Sequence, residues 1–521
     1  MKLTPTIWNV LSVAAIAVAA AGPATAQTVN PQAKKGGSIV FANIAGPGHF
    51  DPAMFCTTVE LEPAMHMLES LVMMDDSYRA KPMLASKVDV DPTGKRFTFT
   101  LRSGVKFHNG KEMTSVDVVA TLQRYAKISP NAPALADVSS FDAPDPYTVV
   151  INLKNPSAVF LDVMKTPCYP MSIIPSEEAA KGPREIETIG TGPFRLGEWV
   201  KDSHLVMRRF DGYSADESAA GPDGFAGRKT VHVDSVRYNF IPEVSTRVAA
   251  LQSGAADIAP IAPDLMPRLA NRSDIVVEKV FPGCMNALVM MSQNAPTNNA
   301  LIRQAVQAAV DVEELAEASG QVYKMNASLL YTDSPYYTGS QMEKYYNQKN
   351  PTRAKQLLQQ AGYKGEKIVI LTNSNYAYMR SQMLVLEQQL KAVGMNVEMQ
   401  VTDWITNASR MQRQEPGWNI STTGYCSQPL LGPQQWRALI YNHTALDKAG
   451  DKDVDTPYGA FFTSLDQNDR KAAWLAAETG IRDKAYLIKL ADAGGVFAYR
   501  VNKVKGWKPW YAMRHWDMWV E

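Results

Sequence analysis

Residues Gly94 to Tyr125 open on an alternation of apolar and polar positions. Phe97, Phe99 and Leu101 are separated by Thr98 and Thr100 and followed by Arg102, the period of a strand with one buried face. Asn109-Gly110 reads as a tight turn, because both residues tolerate positive φ. Thr114-Ser115-Val116-Asp117 fits a capping box, and Val118, Val119 and Leu122 give the apolar face of the helix it starts. The stretch predicts a hairpin feeding a helix and carries no chemistry of its own.

The same reading extends along the chain. Gly37 to Asn43 predicts a strand, followed by a Gly/Pro-containing loop from Gly46 to Phe55 and a Met-rich helix near Glu62 to Met73. The methionine stripe is read as core. Gly190-Thr191-Gly192-Pro193-Phe194 is read as a structural turn, since it lacks the Lys-Ser/Thr of a phosphate loop and the G-x-G-x-x-G spacing. Ser245 is expected to cap a helix that Gly254 ends in the left-handed conformation, and a strand follows over residues 256–262. Asn299 to Val310 has helical spacing. Asn350-Pro351 starts another helix, with Asn as cap and Pro in the first position, and Gly362 stops it.

Residues 367–404 form the clearest unit. Residues 367–372 predict a strand. Met379 to Val393 predicts a helix with Leu384, Leu386 and Leu390 on its apolar face, closed by Gly394. Asn396 to Val401 predicts a second strand, alternating at Val397, Met399 and Val401. A strand–helix–strand unit of this length implies a parallel pair joined by a right-handed crossover. Ligands of open parallel sheets bind beyond the carboxyl ends of the strands. Those ends are Asn373-Ser374-Asn375-Tyr376, with Tyr378 just after, and Thr402-Asp403-Trp404.

With 521 residues the chain exceeds one small core, so two or more domains are expected. A formal net charge of +1 without a charge run excludes nucleic acid as the main partner. Lys2, the apolar run Val10 to Ala21 and Ala24-Thr25-Ala26 read as an export signal over residues 1–26, cleaved after Ala26. No other stretch reaches about 18 uninterrupted apolar residues, so a soluble exported chain is expected. Cys56, Cys168, Cys284 and Cys426 would then meet an oxidising compartment, where four cysteines allow three pairings. The seven His residues are scattered and form no H-E-x-x-H, and neither Cys-x-x-Cys nor a G-x-S-x-G elbow occurs. No metal site, cofactor or catalytic group is singled out, and binding is favoured over catalysis. Val504 to Val520 gathers four Trp, read as an aromatic patch covering the first lobe.

The run FTFTLRSGVKFHNGKEMTSVDVV closely resembles the signature region of the family 5 solute-binding proteins of ABC importers, the peptide-, oligopeptide- and nickel-binding group. Asp51-Pro52-Ala53, the Gly190–Phe194 turn and the helices near Asn299 and Asn350 resemble further elements of that family. The resemblance implies a two-lobed α/β periplasmic-binding-protein fold with an extra subdomain, mixed sheets flanked by helices, and a ligand held in the interlobe cleft. It places residues 27–74, 190–283 and 491–521 in the first lobe, 75–189 in its extra subdomain and 284–490 in the second lobe. It also implies a periplasmic monomer that delivers a small or peptide-like solute to ABC permease subunits in the inner membrane.

The resemblance favours a Cys284–Cys426 bridge, worth about 5 kcal/mol in a chain-entropy model. Cys56 and Cys168 stay open between a second bridge and two buried thiols. Trp404 stands where related peptide binders place a cleft Trp, and Gly424-Tyr425-Cys426 where some have Gly-Trp-Cys. Those binders carry an Asp two residues after the Cys to pair a peptide's ammonium, and here that position is Gln428. A buried ammonium without a carboxylate costs several kcal/mol. A neutral or anionic solute, or one with a blocked amine, therefore stands level with an ordinary peptide. Arg380 and Arg410 are candidate partners for a ligand carboxylate, against a reading as solvated helix charges. The expected ligand set is Phe55, Asn375, Tyr376, Tyr378, Arg380, Trp404, Arg410, Tyr425, Cys426 and Gln428. A receptor presenting solute to a membrane sensor is the alternative, separable by neighbouring permease and ATPase genes. An exported hydrolase, a third class, would turn over chromogenic esters or peptides.

Overall fold

The computed structural model describes residues 33–426, 428–436 and 450–521. The predicted export segment lies outside them. Among the described residues, twelve strands form one hydrogen-bonded system of two sheets that share the strand Leu487–Arg500. Leu487 to Asp492 pairs antiparallel with Met285–Met290. Gly495 to Arg500 pairs antiparallel with Ile275–Val280. The chain thus passes twice between the sheets, at Phe281 to Cys284 and at Asp492 to Gly495.

In the first sheet, Ser38–Asn43 lies parallel to Ser235–Phe240. That strand pairs antiparallel with His204–Arg209, which pairs with Phe194–Val200 at the edge. In the second sheet, Asn396–Thr402, Lys367–Asn373, Ile420–Tyr425 and Met285–Met290 lead in order to the shared strand. A separate antiparallel sheet orders Ala85–Val90, Arg96–Leu101, Thr148–Leu153 and Val138–Asp145. Phe97, Phe99 and Leu101 turn inward and pack with Val118, Leu122 and Tyr125 of the helix Ser115–Ile128. The predicted capping box forms. Asp117 accepts the Thr114 N–H at 3.0 Å, the Lys111 Nζ at 2.6 Å and the Ser176 N–H at 2.9 Å.

Several elements differ from the sequence expectation. The methionine helix is Thr58–Met67, and Val72–Met74 is instead a strand paired with Ala80–Pro82. The chain turns between them to bury Glu69 against Lys229 at 2.9 Å and the hydroxyls of Tyr213 and Thr191, each at 3.1 Å. The helix Val244–Ser253 is capped by Glu243, whose carboxylate accepts the Ser245 N–H. Ser245 therefore sits inside the first turn. Gly254 closes that helix at φ 83°. Leu384 is 46% exposed on the helix Ala377–Ala392, because it points away from the buried Leu386 and Leu390. Val401 is likewise 46% exposed, near the end of an edge strand, where the core that covers Val397 on the same face has run out.

Both disulfides are present, Cys56–Cys168 and Cys284–Cys426. The tail buries Trp507, Trp510 and Trp516 with Met65, Met67, Met74 and Phe41 in the core of the first sheet. The turn at Gly190 and Gly192 lies against the carbonyls of Met67 and His66, where a Cβ would collide with backbone. In the same core His66 and His515 stack at 4.6 Å, and the Tyr238 hydroxyl lies 2.6 Å from His515 Nε2. Burial lowers the pKa of both imidazoles, that of His515 to about 3. Burial also pushes the Glu62 carboxyl up to about 8.

Gly190→Ala should lower stability by about 1–3 kcal/mol, as overpacking against fixed backbone does, measured by denaturant unfolding. The unfolded chain ionises Glu62 near its ordinary 4.5, while the folded chain holds the proton up to about 8. Stability contributed by this acid is therefore fully present below about 4.5 and is lost as pH rises toward 8. Glu62→Gln should match the parent at pH 4 and exceed it at pH 8 in thermal midpoint.

Candidate ligand cleft

The parallel pair predicted from residues 367–404 runs in register from Lys367 opposite Asn396 to Asn373 opposite Thr402. Beyond its carboxyl ends two short connections are tied together by hydrogen bonds. Asn373 Oδ1 accepts the Tyr376 N–H at 2.8 Å, and Ser374 donates its N–H to the Thr402 carbonyl at 2.9 Å. Asn375 Oδ1 accepts the Trp404 N–H at 2.7 Å. Asp403 caps the helix Trp404–Gln412 by accepting the Thr406 N–H at 2.9 Å.

These bonds fix three aromatic rings in a row. Tyr376 meets Trp404 edge-on at 5.4 Å and Tyr378 at 6.0 Å. Tyr376 is 42% exposed. Trp404 is half-buried against the cluster of Leu371, Met411 and Trp418. Ile405 beside it is 81% exposed. Burial keeps the Tyr378 phenol protonated by raising its pKa. Its hydroxyl lies over Gly424, near Asn286 and Cys284. The rings offer a wide apolar surface with hydroxyl groups at its edges, suited to covering an organic solute.

Asn375, Tyr376, Tyr378 and Trp404 are thus gathered at one edge, with the exposed Cys426 linked to them through its bridge to Cys284 and the neighbouring Gly424. The other expected residues lie elsewhere. Tyr425 faces the opposite side of its strand, 3% exposed and packed edge-on against Trp436 at 5.1 Å. Phe55 is 1% exposed within the core of the first sheet. Arg380 is exposed on the helix Ala377–Ala392. Arg410 sits at the far end of the helix Trp404–Gln412, with Nη1 3.4 Å from Gln400 and Nε 3.8 Å from Glu415. The Gln428 side chain lies outside the described residues. Among those residues no group of three metal-ligating side chains occurs, and no helix is long and apolar enough to cross a membrane. Asn286 and Ile405 were not anticipated. The period-two count from Cys284 would have put Asn286 on the face of Gly424 and Cys426.

Two α/β sheets joined by a shared strand and a crossing segment, with an aromatic lip at one carboxyl edge, define a two-lobed binding protein. The family model for bacterial extracellular solute-binding proteins, family 5, matches residues 79–440, and the chain belongs to that family. It is 28% identical over 447 residues to a probable peptide ABC transporter periplasmic-binding protein of Sinorhizobium fredii, covering 82% of this chain and 81% of that one. It is 24% identical over 477 residues to the glutathione-binding protein GsiB of Salmonella paratyphi A, covering 88% and 89%. In fold it is similar to the ABC transporter substrate-binding protein CtaP of Listeria monocytogenes, with a TM-score of 0.79 at 21% identity over 94% of this chain and all 100% of that one.

Asn375→Ala removes the acceptor that holds the Trp404 amide. A hydrogen bond of this kind contributes about 1 kcal/mol, so hydrogen exchange at Trp404 should quicken about fivefold, read by mass spectrometry of the peptide that spans it.

Proposed function

We propose that this chain is the periplasmic binding component of an ABC importer, closing two lobes over a peptide-like or other small organic solute and handing it unaltered to a membrane permease. The observation that carries the reading is the aromatic row Tyr376, Tyr378 and Trp404 at the carboxyl ends of the parallel strands. It lies on the sheet that shares the strand Leu487–Arg500 with the other. Relatives named for peptide and for glutathione binding support a peptide-like solute. The first lobe comprises residues 27–74, 190–283 and 491–521 with the subdomain 75–189, and the second comprises 284–490. The chain acts as a monomer, exported with loss of residues 1–26.

Closure requires the solute to contact both lobes better in the closed state than in the open one. Among the candidates, Asn375, Tyr376, Tyr378 and Trp404 are the contacts of the second lobe. Gln428 in place of an acid supports a solute without a free ammonium at that point.

Mass spectrometry of small molecules released from purified protein would identify the solute. Trp404→Ala should weaken its binding at least tenfold, about 1.4 kcal/mol, while the unliganded protein stays folded with a lowered thermal midpoint, since the ring also packs on Leu371, Met411 and Trp418. Unchanged affinity by calorimetry would remove Trp404 from the site. A solute at one hundred times its dissociation constant should stabilise the parent by about 2.7 kcal/mol.

A further inference from the structure

We infer that the first sheet carries a second small-molecule site, away from the proposed cleft, that takes an organic anion with a carboxylate or phosphate head on a flat apolar body. The inference stands whether or not the transported solute binds at the aromatic row.

The chain tail and one hairpin enclose the site. In the tail, Val504–Lys505 pairs antiparallel with Trp519–Val520. Gly506 takes φ 70° there, and a Cβ on it would stand 2.3 Å from the Trp519 ring. Across from the tail, Pro222–Asp223 pairs with Ala226–Gly227, and the chain continues through Arg228 and His232 into the strand Ser235–Phe240. Between tail and hairpin lies a cavity of about 230 Å³, whose walls include Arg228, Lys508, Arg514, Trp516, Asp517 and Trp519. One water needs about 10–15 Å³ of such space, so the cavity has room for a small organic molecule. A wider recess of about 770 Å³ shares Ala220, Gly221, Pro222, Lys508 and Arg514 as a common rim.

Strand direction separates this cavity from the cleft. Ser38–Asn43 and Ser235–Phe240 run parallel, and Phe41 lies opposite Ile258 on a parallel neighbour. That neighbour runs from Tyr499 toward Val496 of the shared strand. The parallel strands therefore point their carboxyl ends toward the crossing at Asp492 to Gly495. Ala33 and His232, also walls of the cavity, precede the two strands, and the Gly36 N–H donates to the His232 carbonyl at 2.8 Å. The cavity thus lies at the amino end of the first sheet, whereas the aromatic row belongs to the second.

The walls set the chemistry of the guest. Three cations face one acid, Asp517. Arg228 Nη1 is 3.7 Å from Glu217, a carboxylate 78% exposed, and Arg514 Nη1 is 3.0 Å from Asp76. Lys508 is exposed and has no ion pair among the described residues. Burial raises the Asp517 pKa to about 6, although Arg228, Lys508 and Arg514 all pull it down. The cations therefore converge near one point, and the acid among them is a weak counter-charge. Guanidinium and ammonium groups together suit the oxygens of a carboxylate or phosphate. Trp516 is 4% exposed and Trp519 is half-buried, so indole rings are at hand for a flat apolar body.

The test titrates the mature chain by calorimetry with benzoate, phenyl phosphate, inorganic phosphate and benzamide, up to millimolar concentration. Benzoate or phenyl phosphate should bind, and the tighter of the two gives the head group. Inorganic phosphate and neutral benzamide should bind at least tenfold more weakly. Lys508→Gln should weaken the anion at least threefold, and Ala220→Trp, which fills the rim, at least tenfold. Both positions are exposed, so the thermal midpoints should stay at the parent's. Trp404→Ala should leave this binding unchanged. Silence of both aromatic anions, or benzamide as tight as benzoate, would overturn the site. Inorganic phosphate as tight as phenyl phosphate would overturn the apolar body and the organic ligand with it. Binding that survives in both Lys508→Gln and Ala220→Trp but is lost in Trp404→Ala would place the anion in the cleft and overturn the second site.

Discussion

The shared strand Leu487–Arg500 is the constraint on which the architecture depends. One half of it completes the second sheet through Met285–Met290, and the other half completes the first through Ile275–Val280. Neither sheet can lose this strand without exposing a row of backbone N–H and C=O groups. The two halves meet at Ala493, Gly494 and Gly495, and Gly283 approaches the Ala493 carbonyl so closely that its N–H donates to it at 2.9 Å. Small residues at the meeting point let two backbones run side by side, since a Cβ on Gly283 would stand 2.5 Å from the Ala493 carbonyl. The proposed closure would therefore have only a few residues in which to absorb its change of angle.

Buried charges brace the second sheet against this strand. Lys489 and Asp492 lie on it, 2.7 Å apart, and Asn326 Nδ2 donates to Asp492 at 2.7 Å. Glu478, from the helix Gln467–Asp483, accepts the Leu329 N–H at 2.7 Å. Burial holds the Glu478 pKa up and the Lys489 pKa down, so each pulls toward its neutral form while the opposite charges resist. Such an arrangement contributes little net stability compared with apolar packing, but removing one member leaves an uncompensated buried charge. Its effect is geometric. The segment Asn326 to Leu330 and the helix are tied to the strand by these contacts.

How much of this was legible in the sequence depended on the range of the deciding interaction. The helix that starts at Asn350 and the parallel unit of residues 367–404 were legible because each signal is local: Asn350 accepts the Arg353 N–H at 2.9 Å, Gly362 and Gly394 take positive φ, and the alternation of Ile368, Ile370 and Val397 fixes the faces. The strand Arg96–Leu101, the turn at Gly110 and the capping box at Thr114–Asp117 were legible for the same reason, whereas the partners of that strand, Ala85–Val90 and Thr148–Leu153, were not. Tyr425 was not, since its pattern gives the period of the strand but not which face meets the solute. Its burial is decided by Trp436, which no short-range signal announces. The end of the methionine helix was set by the distant Lys229, and the Cys56–Cys168 pairing spans 112 residues. Arg410 looked adjacent to Trp404 in sequence, yet nearly two helical turns carry it to Glu415.

The contacts opposite the hinge complete the mechanical argument. Phe160 packs against Phe97 at 4.8 Å in the core of the four-stranded sheet, while its neighbour Val159 is 2% exposed in the core that holds Phe461, Trp474 and Tyr425. Ala158 donates its N–H to the Phe462 carbonyl at 3.2 Å. Two successive side chains thus stitch two cores together. Separating those cores would return Val159 to water, a loss of about 1.5 kcal/mol or more. On the closure proposed above, this packing would supply part of the preference for the closed form. What remains for the solute is the differential between the two states, and each further 1.4 kcal/mol of it makes the closed form tenfold more populated. Tyr425 thereby acquires a role its sequence position did not suggest. It lies in the same core as Val159, one residue from Gly424 and Cys426, and so stands between the packing of the stitch and the aromatic edge.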